Sequence, residues 1–325
     1  MATAMATLRA LPMVPLAPHP TPLDRLRRLE AALGPGCPSL FIKRDDLLSF
    51  AMGGNKVRKL QTTLAAARAA GADTLVTCGG LQSNHCRVTA AAGAALGLKV
   101  VLVVNGAEQA RPTGNALLDR LFGADIRYVA SRDARAATML RVAEELEVQR
   151  RRPFLIPLGA STPLGAAGFA RGVEEILTAG VSPTAIVHAT SSGGTQAGLI
   201  AGCALFGVKT RVIGISADES TDALTTIVHR LLSDLAALVG ASAAGIGLEQ
   251  DIEVDDQFVG DGYGIPTPAS TEVLELVART EGIVLDPVYT AKAMAGLIAR
   301  VRSGSFAPDD RVLFWHTGGQ AGLFA

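Results

Sequence analysis

The chain has 325 residues and is 49% hydrophobic, enough for one large domain or two ordinary ones with a sizeable core. Lysine plus arginine and aspartate plus glutamate balance at 30 each, so the formal net charge is +0. That balance excludes the electrostatic footprint of a nucleic-acid or anionic-membrane binder and leaves a small molecule as the default partner.

Met1 to Pro15 is Ala-rich but lacks the basic start and long apolar block of a signal peptide. No uninterrupted apolar run reaches the roughly 18 residues that a membrane-spanning helix needs. A proline-rich stretch (Pro12 to Pro22) is followed by a helical pattern over Leu23–Leu33, stopped by Gly34-Pro35-Gly36. Ser39–Lys43 reads as a strand and leads through Asp45-Asp46 into Gly53-Gly54-Asn55-Lys56. From Val57 to Ala70 the period is helical. Short apolar strands then alternate with helices: strands at Thr74–Cys78, Val100–Val104, Asp125–Val129 and Phe154–Leu158, and helices at Ser83–Leu96, Gly114–Phe122 and Ala134–Arg150. The alternation restarts with a helix at Gly168–Thr178, a strand at Ala185–Thr190, a helix at Gln196–Phe206 and a strand at Arg211–Ala217. Helices at Ser220–Val239, Ser270–Thr280 and Thr290–Val301 follow, with strands at Ile252–Val254 and Val312–Trp315. Strands of about five residues between helices of ten or more predict parallel sheets with crossover helices. The expected division is a larger α/β domain from 1–56 plus 161–325, with 57–160 inserted as a smaller one and a cofactor in the cleft between them.

Cys37, Cys78, Cys86 and Cys203 are scattered, with no C-x-x-C pair and no zinc spacing, so no metal is expected and a reducing cytoplasm is the simplest setting. The chemistry concentrates elsewhere. Lys56 sits behind two glycines and an asparagine, where a lysine cannot reach solvent freely; a desolvated amine is what Schiff-base chemistry uses. Ser191-Ser192-Gly193-Gly194-Thr195 joins an apolar strand to a helix, and such a junction offers backbone N–H groups and hydroxyls to a phosphate. Gln82-Ser83-Asn84-His85 opens another helix. Ser83 or Asn84 there can cap it, and the same geometry can hold a carboxylate. His85 is either an ordinary first-turn histidine or an acid/base or substrate contact. Tyr263, between two glycines, and Tyr289, after Asp286-Pro287-Val288, are loop phenols able to relay a proton. Thr317 ends the last strand before two glycines. An amine, a phosphate cradle, a carboxylate cradle and a hydroxyl for a ring nitrogen together describe a pyridoxal phosphate site.

Six segments carry a family resemblance, in order: Met52–Leu60, Gln82–His85, Ser192–Thr195, Gly262–Pro266, Asp286–Thr290 with Lys292–Leu297, and His316–Gly319. They resemble the aminocyclopropane-carboxylate deaminase/D-cysteine desulfhydrase family of pyridoxal-phosphate enzymes, over about residue 20 to the C-terminus. The resemblance implies a tryptophan-synthase-β-like (fold type II) enzyme with two open parallel-sheet domains, and a homodimer. It implies that Lys56 carries the cofactor and later handles the α-proton. Asn55, Asn84, Thr317 and the stretch Ser192, Gly193, Gly194, Thr195 and Gln196 would bind the cofactor. Ser83, Asn84, His85, Tyr263 and Tyr289 would line the substrate pocket, with Ser83, Tyr263 and Tyr289 joining Lys56 in catalysis. The ring-opening deaminases of the family resemble Ser-Asn-Gln, with glutamate after the Asp-Pro-Val-Tyr tyrosine; here those positions are His85 and Thr290. A neutral hydroxyl partner makes a weaker electron sink than a carboxylate, which suits expulsion of a thiolate. The reaction expected is therefore β-elimination of D-cysteine to pyruvate, ammonia and hydrogen sulfide. Cysteate sulfo-lyase and aminocyclopropane-carboxylate deaminase activities are the alternatives within the family. Outside it stand a pyridoxal-binding amino-acid sensor and a nucleotide-binding domain, the latter leaving Lys56 and the tyrosines without a role. Ser191-Ser192 and Ala291 depart from the family pattern. Arg58 and Lys59 read as helix-surface or domain-packing charges.

Overall fold

The structure is a computed structural model and describes residues 2–325. The elements run α1 (Ala2–Ala10), β1 (Leu23–Arg25), α2 (Arg27–Leu33), β2 (Ser39–Arg44), α3 (Asn55–Ala69), β3 (Thr74–Gly80), α4 (Asn84–Leu96), β4 (Lys99–Asn105), α5 (Gly114–Leu121), β5 (Asp125–Val129), α6 (Ala134–Val148) and β6 (Pro153–Ile156). They continue with α7 (Pro163–Thr178), β7 (Ala185–Thr190), α8 (Gly194–Phe206), β8 (Arg211–Ser216), α9 (Thr221–Val239), α10 (Ala243–Ile246), β9 (Glu253–Asp255), α11 (Pro268–Glu281), α12 (Thr290–Arg302) and β10 (Arg311–His316).

One sheet has the order β1-β2-β10-β7-β8-β9 and the other β5-β4-β3-β6. The strands of the second sheet follow one another in sequence between β2 and β7 of the first. Each sheet is covered on both faces. Leu8, Phe169, Leu199 and Leu235 lie in the core on one face of the first sheet, and Leu29, Val277, Met294 and Ile298 lie on the other. Leu60, Leu64 and Val88 back the second sheet, with Met139 and Val142 opposite. Among the described residues no helix is long and apolar enough to cross a membrane.

Three expectations need correction. The span Leu23–Leu33 is not one helix. Leu23–Arg25 pairs antiparallel with β2 (Leu23↔Lys43), and the helix starts at Arg27. The spacing of Leu23, Leu26, Leu29 and Leu33 imitates a helix, but a three-residue edge strand shows no periodicity of its own. The first sheet is accordingly mixed, an otherwise parallel sheet with one antiparallel edge strand. Finally, α7 begins at Pro163, five residues before the expected start, with Thr162 as its N-cap, and the Ala-rich residues Ala2–Ala10 form α1, which buries Ala4 and Leu8. Proline at the first helical position loses no hydrogen bond there.

Candidate active site

Beyond the C-terminal ends of β3, β7 and β10 lies a cavity that encloses about 860 Å³ with the open space at its mouth included, where open parallel sheets place their ligands. Its floor is the loop before α3. Gly53 (φ 68°) and Gly54 (φ 99°) lie in the left-handed region, and their missing side chains matter as much as their angles. A Cβ on Gly53 would stand 2.4 Å from the Asp46 carbonyl oxygen, and one on Gly54 2.9 Å from that of Thr317. The Asn55 N–H donates to that same Thr317 oxygen at 3.0 Å. The glycines therefore press the lysine loop onto the end of β10 and bring Lys56 and Thr317 to one cavity. Asn55 Nδ2 donates to Thr195 Oγ1 at 3.0 Å and ties the loop to α8. Lys56 opens into the cavity, and its Nζ has no hydrogen-bond partner among the described residues. Burial, aided by the charge of Arg87, lowers its pKa to about 8, so a useful fraction of the amine is unprotonated and nucleophilic near neutral pH.

The second wall is the turn from β7 into α8. Gly193 takes φ 73°; the Gly194 N–H donates to the Ser192 carbonyl at 2.9 Å, and the N–H groups of Thr195 and Gln196 are left without a backbone acceptor among the described residues. Ser161 and Ser192 share a 2.8 Å hydroxyl contact. Lys59, expected as a surface or packing charge, is only 1% exposed and lines this end instead. Its Nζ donates to the Gly159 carbonyl and to Ser161 Oγ, both at 3.2 Å. Burial and then the charge of Lys56 push its pKa well below the usual lysine value, and no carboxylate pairs with it among the described residues. A buried amine without a counter-ion, beside a helix N-terminus, calls for an anion. Thr190 Oγ1, buried at the same end, also lacks a partner. Gln196 can serve that end only through its backbone. Its side chain is fully buried, donates to the Glu253 carbonyl at 2.7 Å and lies against Gly214, so only its backbone N–H remains for a ligand.

The third wall is the start of α4. Ser83 is the N-cap, its Oγ accepting from the Cys86 N–H at 3.2 Å, and it lines the cavity as well, so the capping and binding readings coexist. Asn84 and His85 follow it into the lining. Thr77 donates its hydroxyl proton to the Ile156 carbonyl at 2.7 Å, so in its 2.7 Å contact with His85 it accepts from Nε2–H. That fixes the tautomer and leaves Nδ1 as a buried, unpartnered acceptor. Burial, with the charges of Lys56 and Lys59, holds the His85 pKa well below the usual value, so the ring is neutral at pH 7 and has no extra proton to give.

Opposite stand the phenols. Tyr263 and Tyr289 place their hydroxyls 2.5 Å apart, with ring centroids at 5.8 Å and planes at 68°. Burial raises both pKa values, Tyr289's well above 10. The Asp286 carboxylate accepts the N–H groups of Val288, Tyr289 and Thr290, which sets Tyr289 at the head of α12. Thr290 spends its hydroxyl on Asp286, donating to Oδ1 at 2.6 Å and accepting from the backbone N–H at 2.7 Å, and does not line the cavity. Thr317 is the hydroxyl that does. Lys292 donates to the carbonyls of Val259 (2.7 Å) and Gly262 (3.0 Å) and so holds the Tyr263 loop. At the mouth, Arg132 covers the Tyr263 ring at 5.6 Å and pairs with Asp218, joining the loop before α6 to the loop before α9.

Lys59, Arg87, Arg132 and Asp218 escaped the sequence reading. Lys59 follows Lys56 by three residues, and Arg87 follows Asn84 by three, so helical spacing was the available signal. Arg132 and Asp218 carry no local signal.

A family model described as pyridoxal-phosphate dependent enzyme matches residues 14–318. Proteins named D-cysteine desulfhydrase from Salmonella typhi and Salmonella newport (strain SL254) are each 39% identical over 98% of this chain and 97% of their own. A solved structure titled as an ACC deaminase homologue superposes with a TM-score of 0.91 at 36% identity, covering 100% of this chain and 97% of that one. Threonine deaminase isoform 2 from Solanum lycopersicum, at 17% identity and a TM-score of 0.71 over 97% of this chain and 83% of that one, shares the fold.

Proposed function

Because the chain belongs to the family of pyridoxal-phosphate dependent enzymes, we propose that it catalyses the β-elimination of D-cysteine, which with one water yields pyruvate, ammonia and hydrogen sulfide. The observation that carries this is Lys56, a partnerless amine with a pKa of about 8 in the same cavity as the anion-hungry end at Lys59 and α8. The residues fit the cofactor. Lys56 would hold its aldehyde, the N–H groups of α8 with Ser192, Thr195 and Lys59 its phosphate, Asn84 its phenolic oxygen and Thr317 its ring nitrogen. When bound, pyridoxal phosphate supplies the electron sink for the carbon next to the substrate amine.

The chain supplies the rest. Ser83 and the free N–H groups at the start of α4 orient the substrate carboxylate at the positive end of the helix. Lys56, whose amine opens into the cavity, would be the base for the α-proton. The tyrosine pair has two hydroxyl protons; one is spent between the phenols, so one is left to donate to the departing sulfur. Their raised pKa values keep both phenols protonated for this. His85, neutral, shapes the wall without exchanging protons. Among the described residues the only carboxylate lining the cavity is Asp218, held by Arg132. No other acid therefore lines the cavity with Thr317 to strengthen the sink, which supports thiolate elimination over opening of a cyclopropane ring.

Pyruvate release measured in parallel on D-cysteine, L-cysteine, cysteate, D-serine and aminocyclopropane-carboxylate tests the reading. D-cysteine is expected to lead, with sulfide in equal amount. Preference for aminocyclopropane-carboxylate or cysteate would replace the substrate but keep the cofactor, and turnover of none with bound cofactor would point to a sensor. We also place the enzyme in a reducing cytoplasm as a homodimer. The free thiols of Cys37, Cys78, Cys86 and Cys203 support the first, and the exposed Leu117, Leu121 and Phe324 on adjoining elements the second. Cell fractionation, and light scattering at twice 33.5 kDa rather than once, check the two placements.

A further inference from the structure

Arg87 sits one turn into α4, with no exposed surface. It forms no ion pair among the described residues. Its Nη1 donates to Asn84 Oδ1 (2.7 Å) and Asn115 Oδ1 (2.8 Å), its Nη2 donates to the Gly53 carbonyl (2.9 Å), and its Nε has no partner. A buried guanidinium without a counter-ion is costly to a fold. The carboxyls whose charge it feels are Asp119 and Asp286. Asp286 is committed to the start of α12. Asp119, on α5, is itself buried with Oδ1 unpartnered, and burial pushes its pKa up to about 8. What Arg87 does touch is two walls of the cavity at once: the loop that delivers Lys56 and the amide of Asn84.

Asn84 Oδ1 accepts from Arg87 and also from Asn115 Nδ2 at 3.0 Å. Both neighbours are donors, so the amide has one orientation, with Nδ2 free to donate. We propose that Arg87 is the positioning residue of this site, turning the Asn84 amide so that Nδ2 serves the cavity and bracing the Gly53 carbonyl behind Lys56. The Asn84 half rests on the pyridoxal reading above; the Lys56 half does not. Arg87 also places a positive charge behind Lys56; the other titratable groups at that wall, Lys59 on α3 and His85 on α4, are both held well below their usual pKa values by burial and add none as Lys56 titrates.

The test uses cofactor-free protein and two variants, Arg87→Lys and Arg87→Met. The pH dependence of Lys56 acylation by acetic anhydride, read by mass spectrometry, reports the amine directly. The native midpoint is expected near 8, and Arg87→Met is expected to move it up by about half a unit or more, because a like charge disfavours the ammonium. Arg87→Lys keeps the charge and loses the fork. Its midpoint should stay near the native one while affinity for pyridoxal phosphate, titrated by visible absorbance, drops ~10-fold. A folded Arg87→Met with the native midpoint, or an Arg87→Lys with native affinity, overturns the proposal. Should Arg87→Met not fold, the Arg87→Lys affinity decides. A native protein that takes up no pyridoxal phosphate would instead fail the functional reading, and the acylation midpoint of the folded variants would then decide the Lys56 half.

Discussion

Lys56→Ala is expected to lower D-cysteine turnover by at least ~10³-fold, since it removes both the covalent attachment point and the base for the α-proton. Pyruvate release reads the turnover. The visible absorbance of the native protein with pyridoxal phosphate, together with a borohydride-fixed label on Lys56 in its peptide map, reads the attachment. The substitution leaves the core alone, because the side chain faces the cavity and its amine bonds to nothing. A native-like melting curve with lost absorbance is therefore the expected pair of results. Turnover within tenfold of native would move the base elsewhere, and Lys59 is the next amine in the cavity. The sign of the pH effect follows from the lowered pKa. As pH rises through about 8 the amine loses its proton, so attachment of cofactor to the free protein should speed up from pH 7 to 9.

The largest loss of stability is expected from Arg58→Met, at ~3–5 kcal/mol, because removing one member of a buried ionic network strands the others. Arg58 donates Nε to Asp45 Oδ2 and Nη2 to Asp45 Oδ1, both at 2.7 Å, and Nη1 to Glu175 Oε1 at 2.6 Å. Trp315 Nε1 (2.8 Å) and Thr21 Oγ1 (2.9 Å) complete Asp45, and Lys43 Nζ reaches Glu175 at 2.5 Å. The network ties α3 to β2, α7 and β10 beneath the Lys56 loop. Burial alone would raise the pKa of Glu175, but hydrogen bonds and charge from Arg58, then from Lys43, overcome it and bring the group from 4.5 to about 2. A depressed carboxylate stabilises the fold above its unfolded pKa, and that contribution fades as pH falls from about 4.5 toward 2. Urea midpoints at pH 7 and along that acid limb check both points. The variant should be weaker at pH 7 and should lose less further stability along the acid limb, because Glu175 without Arg58 has less of its pKa depression left to give up. A midpoint within error of native at pH 7 would show that the network adds nothing net.

Both expectations depend on α3, and α3 shows where the sequence stops being informative. The residues Gly53 to Lys56 are contiguous, and the need of glycine for positive φ and close approach is local chemistry. The same holds for the Ser192–Thr195 turn, the Ser83 cap and the alternation of apolar strands with helices, because hydrophobic period and turn residues act over a few positions. The cofactor followed from such segments. For Arg58 and Lys59, in contrast, the local rules leave helix surface and domain packing both open, since charged residues on a helix usually face water. They are buried because α7, more than 100 residues later, crosses α3 at glycines: a Cβ on Gly168 would lie 2.4 Å from the Arg58 carbonyl oxygen and one on Gly165 3.5 Å from Lys59 Cβ.

The division of labour between hydroxyls is likewise tertiary. Thr290 and Thr317 look alike in sequence, yet Thr290 is consumed by Asp286 while Thr317, its backbone packed on Gly54, lines the cavity. Gln196 begins a helix like a ligand but turns under β8 because Gly214 leaves it room. The sequence by itself determined the cofactor, the reaction type and most of the alternation, because each resides in short contiguous segments. Only the tertiary structure decided the direction of β1, the burial of Arg58 and Lys59, the tautomer of His85 and the bracing by Arg87. Those depend on which distant backbone comes within hydrogen-bond reach, and that distance is set by packing between elements rather than by any one of them.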